Sequence, residues 1–100
     1  MNLILSTTII SLALFLGGSI DQEKDIIREI DRTYRDAISK SDLYELEALI
    51  NKSVKDFPES GEIFWRLGRT YFKLGENAQS GSEKIHYYLL CIEQTRKSIK

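Results

Sequence analysis

Residues 63–75 read IFWRLGRTYFKLG, and the spacing of the apolar residues in this stretch predicts a helical fold. Its apolar residues recur at steps of three and four, which is the spacing of one helical face. Gly68 lies in the middle of this pattern, where a glycine normally destabilises a helix by about 1 kcal/mol relative to alanine. We therefore predict a close helix–helix approach at Gly68, with Tyr88 or its neighbours packing over it.

The chain after residue 20 shows helical periodicity throughout and no competing strand pattern. The predicted helices cover about residues 21–40, 42–57, 62–74 and 82–99. Pro58, the only proline, ends the second helix because proline cannot continue one. Ser41 with Asp42, and Ser82, are predicted N-caps, and Gly75 is a predicted C-cap. The sequence therefore predicts an all-α fold of antiparallel helix hairpins.

The third predicted helix also matches a known repeat signature. Phe64, Leu67, Gly68 and Tyr71 have the tetratricopeptide spacing of a large aromatic residue, Leu-Gly and Tyr. A step back of 34 residues from Phe64 reaches Ile30 and places Pro58 at the end of a first repeat. We predict a short α-solenoid of two repeats, at about residues 27–60 and 61–98. The predicted packing residues are Ile30, Phe64, Leu67, Gly68, Tyr71, Tyr88 and Cys91.

Residues 1–20 form an apolar leader without a charged side chain. Residues 3–16 have the length of a signal-peptide apolar region, and Gly17, Gly18 and Ser19 supply small residues for cleavage. Residues 3–20 are also barely long enough to span a bilayer. The leader is thus an apolar helix with three interpretations: a signal peptide, an uncleaved membrane anchor, or a buried helix.

Composition excludes several classes of function. The 15 acidic and 14 basic residues nearly cancel, so binding of nucleic acid through bulk charge is not expected. One histidine, His86, and one cysteine, Cys91, cannot build a metal site or an internal disulfide. No phosphate loop or nucleophile motif is present in the sequence. We predict no catalytic residues, no metal, no cofactor and no enzyme activity.

The first helices of stacked repeats line a concave groove. Arginine forks grip carboxylates bidentately, so cations on this face predict an acidic peptide as the partner. The candidate partner-binding residues are Arg28, Arg35, Trp65, Arg69, Phe72 and Lys73. Arg66 is expected at the edge of the groove. In the competing interpretation these residues form a solvated or structural face, with Asp31 and Glu62 neutralising some of the cations.

Residues 60–88 resemble the regulator of microtubule dynamics family. Its members carry a repeat helix of the form Leu-Trp-Arg-Leu-Ala-Arg-Ala, a lengthened polar loop, a Glu-Lys pair and a second helix rich in Tyr, Ala and Glu. Here residues 64–70 (FWRLGRT) match the helix, and Glu83 with Lys84 matches the pair. Members are longer, with further repeats, so this chain is expected to be a fragment or a short paralogue. The resemblance implies a non-enzymatic adaptor at microtubules, spindles or organelle contacts.

The resemblance also implies a location and a partner. Some relatives carry an N-terminal anchor for the mitochondrial outer membrane or the endoplasmic reticulum, facing the cytoplasm, and the acidic tail of tubulin is the ligand expected. The alternatives are a secreted or membrane-tethered generic protein-binding repeat, and a small structural helical bundle. Two repeats bury little core, so dimerisation through the last helix, with Leu90 and Ile99 as contacts, is a further expectation.

Overall fold

A computed structural model describes residues 19–99, and within them the chain is all-helical. The elements are α1 (Ile20–Asp36), α2 (Lys40–Asp56), α3 (Gly61–Glu76) and α4 (Gly81–Ser98). The all-α prediction is confirmed, and the described residues contain no strand. The predicted apolar helix of the leader lies outside the described residues, apart from Ser19 and Ile20.

Each of the four helices begins at a serine cap. The side chains of Ser19, Ser39, Ser60 and Ser80 each accept a hydrogen bond from the backbone N–H three residues later, which satisfies one of the unpaired donors at a helix start. Ser41 and Ser82, the predicted caps, lie inside α2 and α4. The prediction was wrong by two residues because each loop offers two serines within reach of the helix start.

The helix caps of the two pairs are spaced more widely than the predicted 34-residue period. From Ser19 to Ser60, and from Ser39 to Ser80, the equivalent caps are 41 residues apart. The predicted first repeat begins at residue 27, about two turns inside α1, because α1 already starts at Ile20.

This register changes which residues are equivalent. Cap to cap, Ile30 aligns with Tyr71 and not with Phe64. Ile26 and Ile27 then align with Leu67 and Gly68. The 34-residue comparison instead sets Thr33 and Tyr34 against the Leu-Gly pair, where neither residue matches the signature.

The core lies where α2 and α3 meet α1 and α4. Its buried apolar residues are Ile30, Leu43, Leu46, Ile50, Ile63, Leu67, Tyr71 and Leu74. Phe64, a predicted packing residue, is only half-buried and not part of this cluster. Cys91 packs against the cluster, and so does Tyr87 in place of the predicted Tyr88.

α3 and α4 pack antiparallel at very short range, and three glycines of α3 allow it. A Cβ on Gly68 would lie 2.9 Å from Thr95 Oγ1 and 3.3 Å from the Cys91 carbonyl oxygen. The close approach expected at Gly68 is therefore present, but Tyr88 does not cover it. The Tyr88 ring lies instead over Gly75, which is inside α3 and not at its C-cap; the C-cap is Asn77.

Candidate functional site

The surface between α1 and α3 contains a network of charged side chains. Asp31 accepts hydrogen bonds from Arg66 Nε at 2.8 Å and Arg66 Nη2 at 3.0 Å, and from Arg69 Nη2 at 2.9 Å. One carboxylate of α1 thus binds two arginines of α3. Arg66, which was expected at the edge of a groove, has a side chain only 10% exposed.

Glu62 completes this network from the first turn of α3. Its Oε2 accepts hydrogen bonds from Arg66 Nη1 at 2.9 Å and from Trp65 Nε1 at 3.1 Å. The Glu62 carbonyl accepts another from Arg66 Nη1. Two carboxylates therefore balance two guanidinium groups, and the network carries no net formal charge.

The guanidinium groups of the two arginines lie over the flat faces of aromatic rings. Arg69 Cζ lies 3.8 Å from the centre of the Tyr34 ring and 5.0 Å from that of Trp65, and Arg66 Cζ lies 4.3 Å from Trp65. Such cation–π contacts stabilise a guanidinium that has left water. Arg69 Nε is buried without a hydrogen-bond partner in the described residues, because stacking holds the guanidinium between the rings.

The network lowers the pKa of its two carboxylates. Hydrogen bonds from Arg66 and Arg69 lower the pKa of Asp31, although partial burial opposes the change. Hydrogen bonds from Arg66 and Trp65 likewise lower the pKa of Glu62. Both groups are therefore charged well into the acid range, which fits a structural ion network.

A cleft of about 290 Å³ lies at the end of this surface, between the C-terminal ends of α1 and α3. Arg35 reaches it from α1 and Lys73 from α3. Its other lining residues are Tyr34, Ala37, Ile38, Ser39, Leu43 and Asn77. The cleft therefore combines two cations with an apolar wall, and Tyr34 joins it to the stacked arginines.

The structure divides the six predicted partner-binding residues into three groups. Arg35 and Lys73 line the cleft, whereas Arg69 and Trp65 belong to the internal network. Arg28 lies two turns before Arg35 on α1, exposed and paired with Asp25 at 3.2 Å. Phe72 is 49% exposed and stacks on Tyr88, with ring centres 5.6 Å apart.

Sequence reasoning missed two residues of this surface. Tyr34 packs against the core, and its ring also carries the Arg69 guanidinium. Asn77, which falls between the third and fourth predicted helices, lines the cleft and donates from Nδ2 to the Lys73 carbonyl at 2.8 Å. Once Lys73 is placed in the last turn of α3, a following asparagine is a signal for such a cap.

Comparison of the chain with protein-family models, curated proteins and solved structures found no match. Among residues 19–99, no three His, Cys, Asp or Glu side chains are grouped so that they could hold a metal ion. None of the four described helices combines the length and hydrophobicity needed to cross a bilayer.

Proposed function

We propose that the chain is a non-enzymatic protein-binding module that holds an acidic peptide segment in the cleft between α1 and α3. The observation that carries the proposal is the convergence of Arg35 and Lys73 on one cleft beside an apolar wall. In this proposal the two helix pairs act as tetratricopeptide-like repeats. The first helix of each pair then contributes one cation to a shared concave face.

The two cations of the cleft favour an anion. Arg35 and Lys73 lie in the last turns of α1 and α3, where each helix end carries a negative partial charge of about half an elementary charge. Arg35 Nε also lies 4.0 Å from Asp36 Oδ1, in a pair that is exposed on both sides. Asn77 satisfies the Lys73 carbonyl. A peptide carboxylate competes with the exposed Asp36 for Arg35 and binds Lys73, and the wall of Tyr34, Ala37 and Leu43 suits an apolar neighbour in the same peptide.

Arg69 fits the competing interpretation of the sequence, in which Asp31 neutralises some of the cations on this face. Its guanidinium binds Asp31 and stacks on two rings, so its charge is already compensated within the chain. We assign Arg69, Arg66 and Trp65 to the charged network that holds α1 against α3. Binding of a partner is assigned to Arg35 and Lys73.

Peptide binding tests this proposal directly. The probe is a fluorescein-labelled decapeptide of glutamates and one tyrosine, measured by anisotropy at low and high salt. We expect Arg35→Ala with Lys73→Ala to weaken binding about five-fold or more, because two charge-assisted contacts are lost. The matched control is Lys52→Ala with Lys55→Ala, which removes two exposed cations from α2. Equal weakening by both double variants would show that only bulk charge matters.

The particular partner proposed is the acidic tail of tubulin, which rests on the resemblance of residues 60–88 to the microtubule-regulator family. Co-sedimentation with microtubules tests it. We expect the chain to pellet with intact microtubules and to lose most of this binding once their acidic tails are cleaved. Binding that survives removal of the tails would reject the tubulin tail as the ligand, while leaving the peptide assay as the test of the cleft.

The proposed location is a membrane surface facing the cytoplasm, with residues 1–20 as anchor; the alternative is a secreted binding module. A C-terminally tagged full chain and the sequence of its mature N-terminus separate them. Retention of residue 1 at the mitochondrial outer membrane or endoplasmic reticulum supports the first. Cleavage near Ser19 followed by export supports the second.

A further inference from the structure

The outer face of α4 carries an apolar stripe that the core does not use. Ile85 and Leu89 are each 61% exposed, Ile92 is 49% exposed and Ile99 is 77% exposed. With Arg96 they form what we call the outer seam: Ile85, Leu89, Ile92, Arg96 and Ile99. The opposite face of α4 is the one in the core, through Tyr87, Leu90, Cys91 and Gln94. This helix is therefore apolar on two opposite faces.

The spacing of the outer seam indicates what kind of partner fits it. Its residues follow one another at steps of four, three, four and three, which is the heptad spacing of a coiled-coil contact line. Such a line packs against another helix. The partner of this face is therefore helical and pairs nearly parallel or antiparallel to α4.

The corresponding face of α2 shows how the fold uses this position. The residues that stand 41 positions earlier, in cap-to-cap register, are Tyr44, Ala48, Asn51 and Lys55 in α2 and Pro58 after it. They are exposed, but Tyr44 lies beside Tyr87 of α4 and Asn51 beside Tyr71 of α3. The second helix pair therefore partly covers this face of α2, whereas the outer seam of α4 has no cover within the described residues.

A second copy of the chain complements the outer seam when the two α4 helices run antiparallel. Leu89 then lies against Ile92 of the other copy, and Ile85 against the aliphatic stem of Arg96. On the flank, the exposed His86 of one copy comes opposite Glu93 of the other, which pairs with Lys97 of its own chain at 3.6 Å. A parallel pairing would instead set Arg96 against Arg96 and would align the two helix dipoles unfavourably.

We propose that the chain forms a weak two-fold dimer through antiparallel pairing of the outer seams. The outer seam runs from Ile85 to Ile99, about 21 Å along the helix. One helix pair of this length buries less than the roughly 800 Å² per partner of a standard interface. The dimer is therefore a weak one, as small transient interfaces are.

Sedimentation velocity of the full chain in a non-ionic detergent, from about 5 to 500 µM, tests the dimer. We expect Leu89→Glu with Ile92→Glu to weaken association at least ten-fold. Because both side chains are exposed, the helical circular dichroism is expected to be retained. The matched control, Ser41→Glu with Ala48→Glu, adds the same two charges at exposed positions of α2 outside the outer seam and is expected to keep the dimer.

A spin label at Ser82→Cys, in a Cys91→Ser background, tests the orientation. Antiparallel pairing separates the two labels by about 25 Å or more along the helices, whereas parallel pairing sets them side by side, within about 15 Å. The longer distance supports the proposal. A monomer at all concentrations, a dimer unchanged by the Leu89 and Ile92 substitutions, or the shorter distance would overturn it.

Discussion

Asp31 accepts two hydrogen bonds from Arg66, at 2.8 and 3.0 Å, and this fork joins α1 to α3. The Arg66 side chain is 10% exposed while that of Asp31 is 39% exposed. Arg66 therefore depends on this pair more than Asp31 does, because its guanidinium can be hydrated only if α1 and α3 separate. The relationship is a structural one, and it leads to two predictions.

Removal of the Asp31 carboxylate should destabilise the fold. Asp31→Ala leaves Arg66 nearly buried with only Glu62 as a charged partner, and Arg69 without its carboxylate. We expect a loss of about 1–3 kcal/mol in the free energy of unfolding, the cost of an unsatisfied polar group. Urea denaturation followed by circular dichroism measures it.

The control for this prediction is Asp25→Ala, which breaks the exposed pair between Asp25 and Arg28 in the same helix. Exposed pairs contribute about 0–1 kcal/mol, so this variant should unfold close to the unchanged chain. Similar losses in the two variants would show that the fork of Asp31 and Arg66 has no special role.

Acid should weaken the same network. The folded chain lowers the pKa of Asp31 and Glu62, so their contribution is complete above the ordinary carboxyl pKa of about 4. It is lost as the pH falls through the lowered values, because the unfolded chain then binds more protons. We expect the urea midpoint to fall below about pH 4, with a shallower fall in Asp31→Asn with Glu62→Gln. An unchanged slope in this double variant would contradict the assignment.

Gly68→Ala should destabilise the hairpin of α3 and α4. The new methyl group would meet Thr95 Oγ1 and the Cys91 carbonyl oxygen. Thr95 can rotate away, but the backbone carbonyl at 3.3 Å can move only with α4. We expect a net loss of about 1–3 kcal/mol by urea denaturation, despite the gain in helix propensity.

Gly81→Ala is the matched control, since a Cβ there meets nothing within 4 Å. We expect it to change the free energy of unfolding by less than about 0.5 kcal/mol or to raise it slightly. A chain that tolerates both alanines equally would show that the helices are not held at this distance.

Alkaline titration should reveal Tyr71. Burial raises the pKa of Tyr71 to about 12, so its stabilising effect is complete below the ordinary tyrosine pKa of about 10 and is lost as the pH rises through the folded value. Of the five tyrosines, Tyr71 should ionise late in an absorbance titration, and so should Tyr87, because a hydrogen bond with Tyr44 and burial raise the pKa of Tyr87. Tyr71→Phe should remove one tyrosine equivalent from the part of the curve above about pH 11. If Tyr71→Phe instead removed one tyrosine equivalent from the part of the curve near pH 10, Tyr71 would be an accessible tyrosine.

The local features of the fold were readable from the sequence. Helical periodicity and Pro58 predict four helices and no strand, because both act within one stretch of chain. Gly68 predicts a close approach of two helices, because a glycine inside a regular helical pattern is unfavourable unless a neighbouring helix needs the space of a side chain. Tyr88 does not cover Gly68, because Cys91, one turn further along α4, lies opposite Gly68.

The site was predictable only as a set of residues. Arg35, Arg69 and Lys73 share a helical face by spacing alone, but spacing does not show which cation is already paired. Asp31 is 35 residues from Arg66 and 38 from Arg69, so their contact depends on how α1 and α3 lie against each other. That arrangement leaves Arg35 and Lys73 at the cleft and encloses Arg69.

Local sequence was enough to predict the helices, the close packing at Gly68 and a cationic, aromatic surface. The 41-residue spacing of the helix caps, the partial exposure of Phe64 and the partner of each arginine emerged only from the folded chain. The difference is one of range, because helix formation depends on side chains three or four residues apart. The register between helices depends instead on loop lengths and on packing across the whole domain.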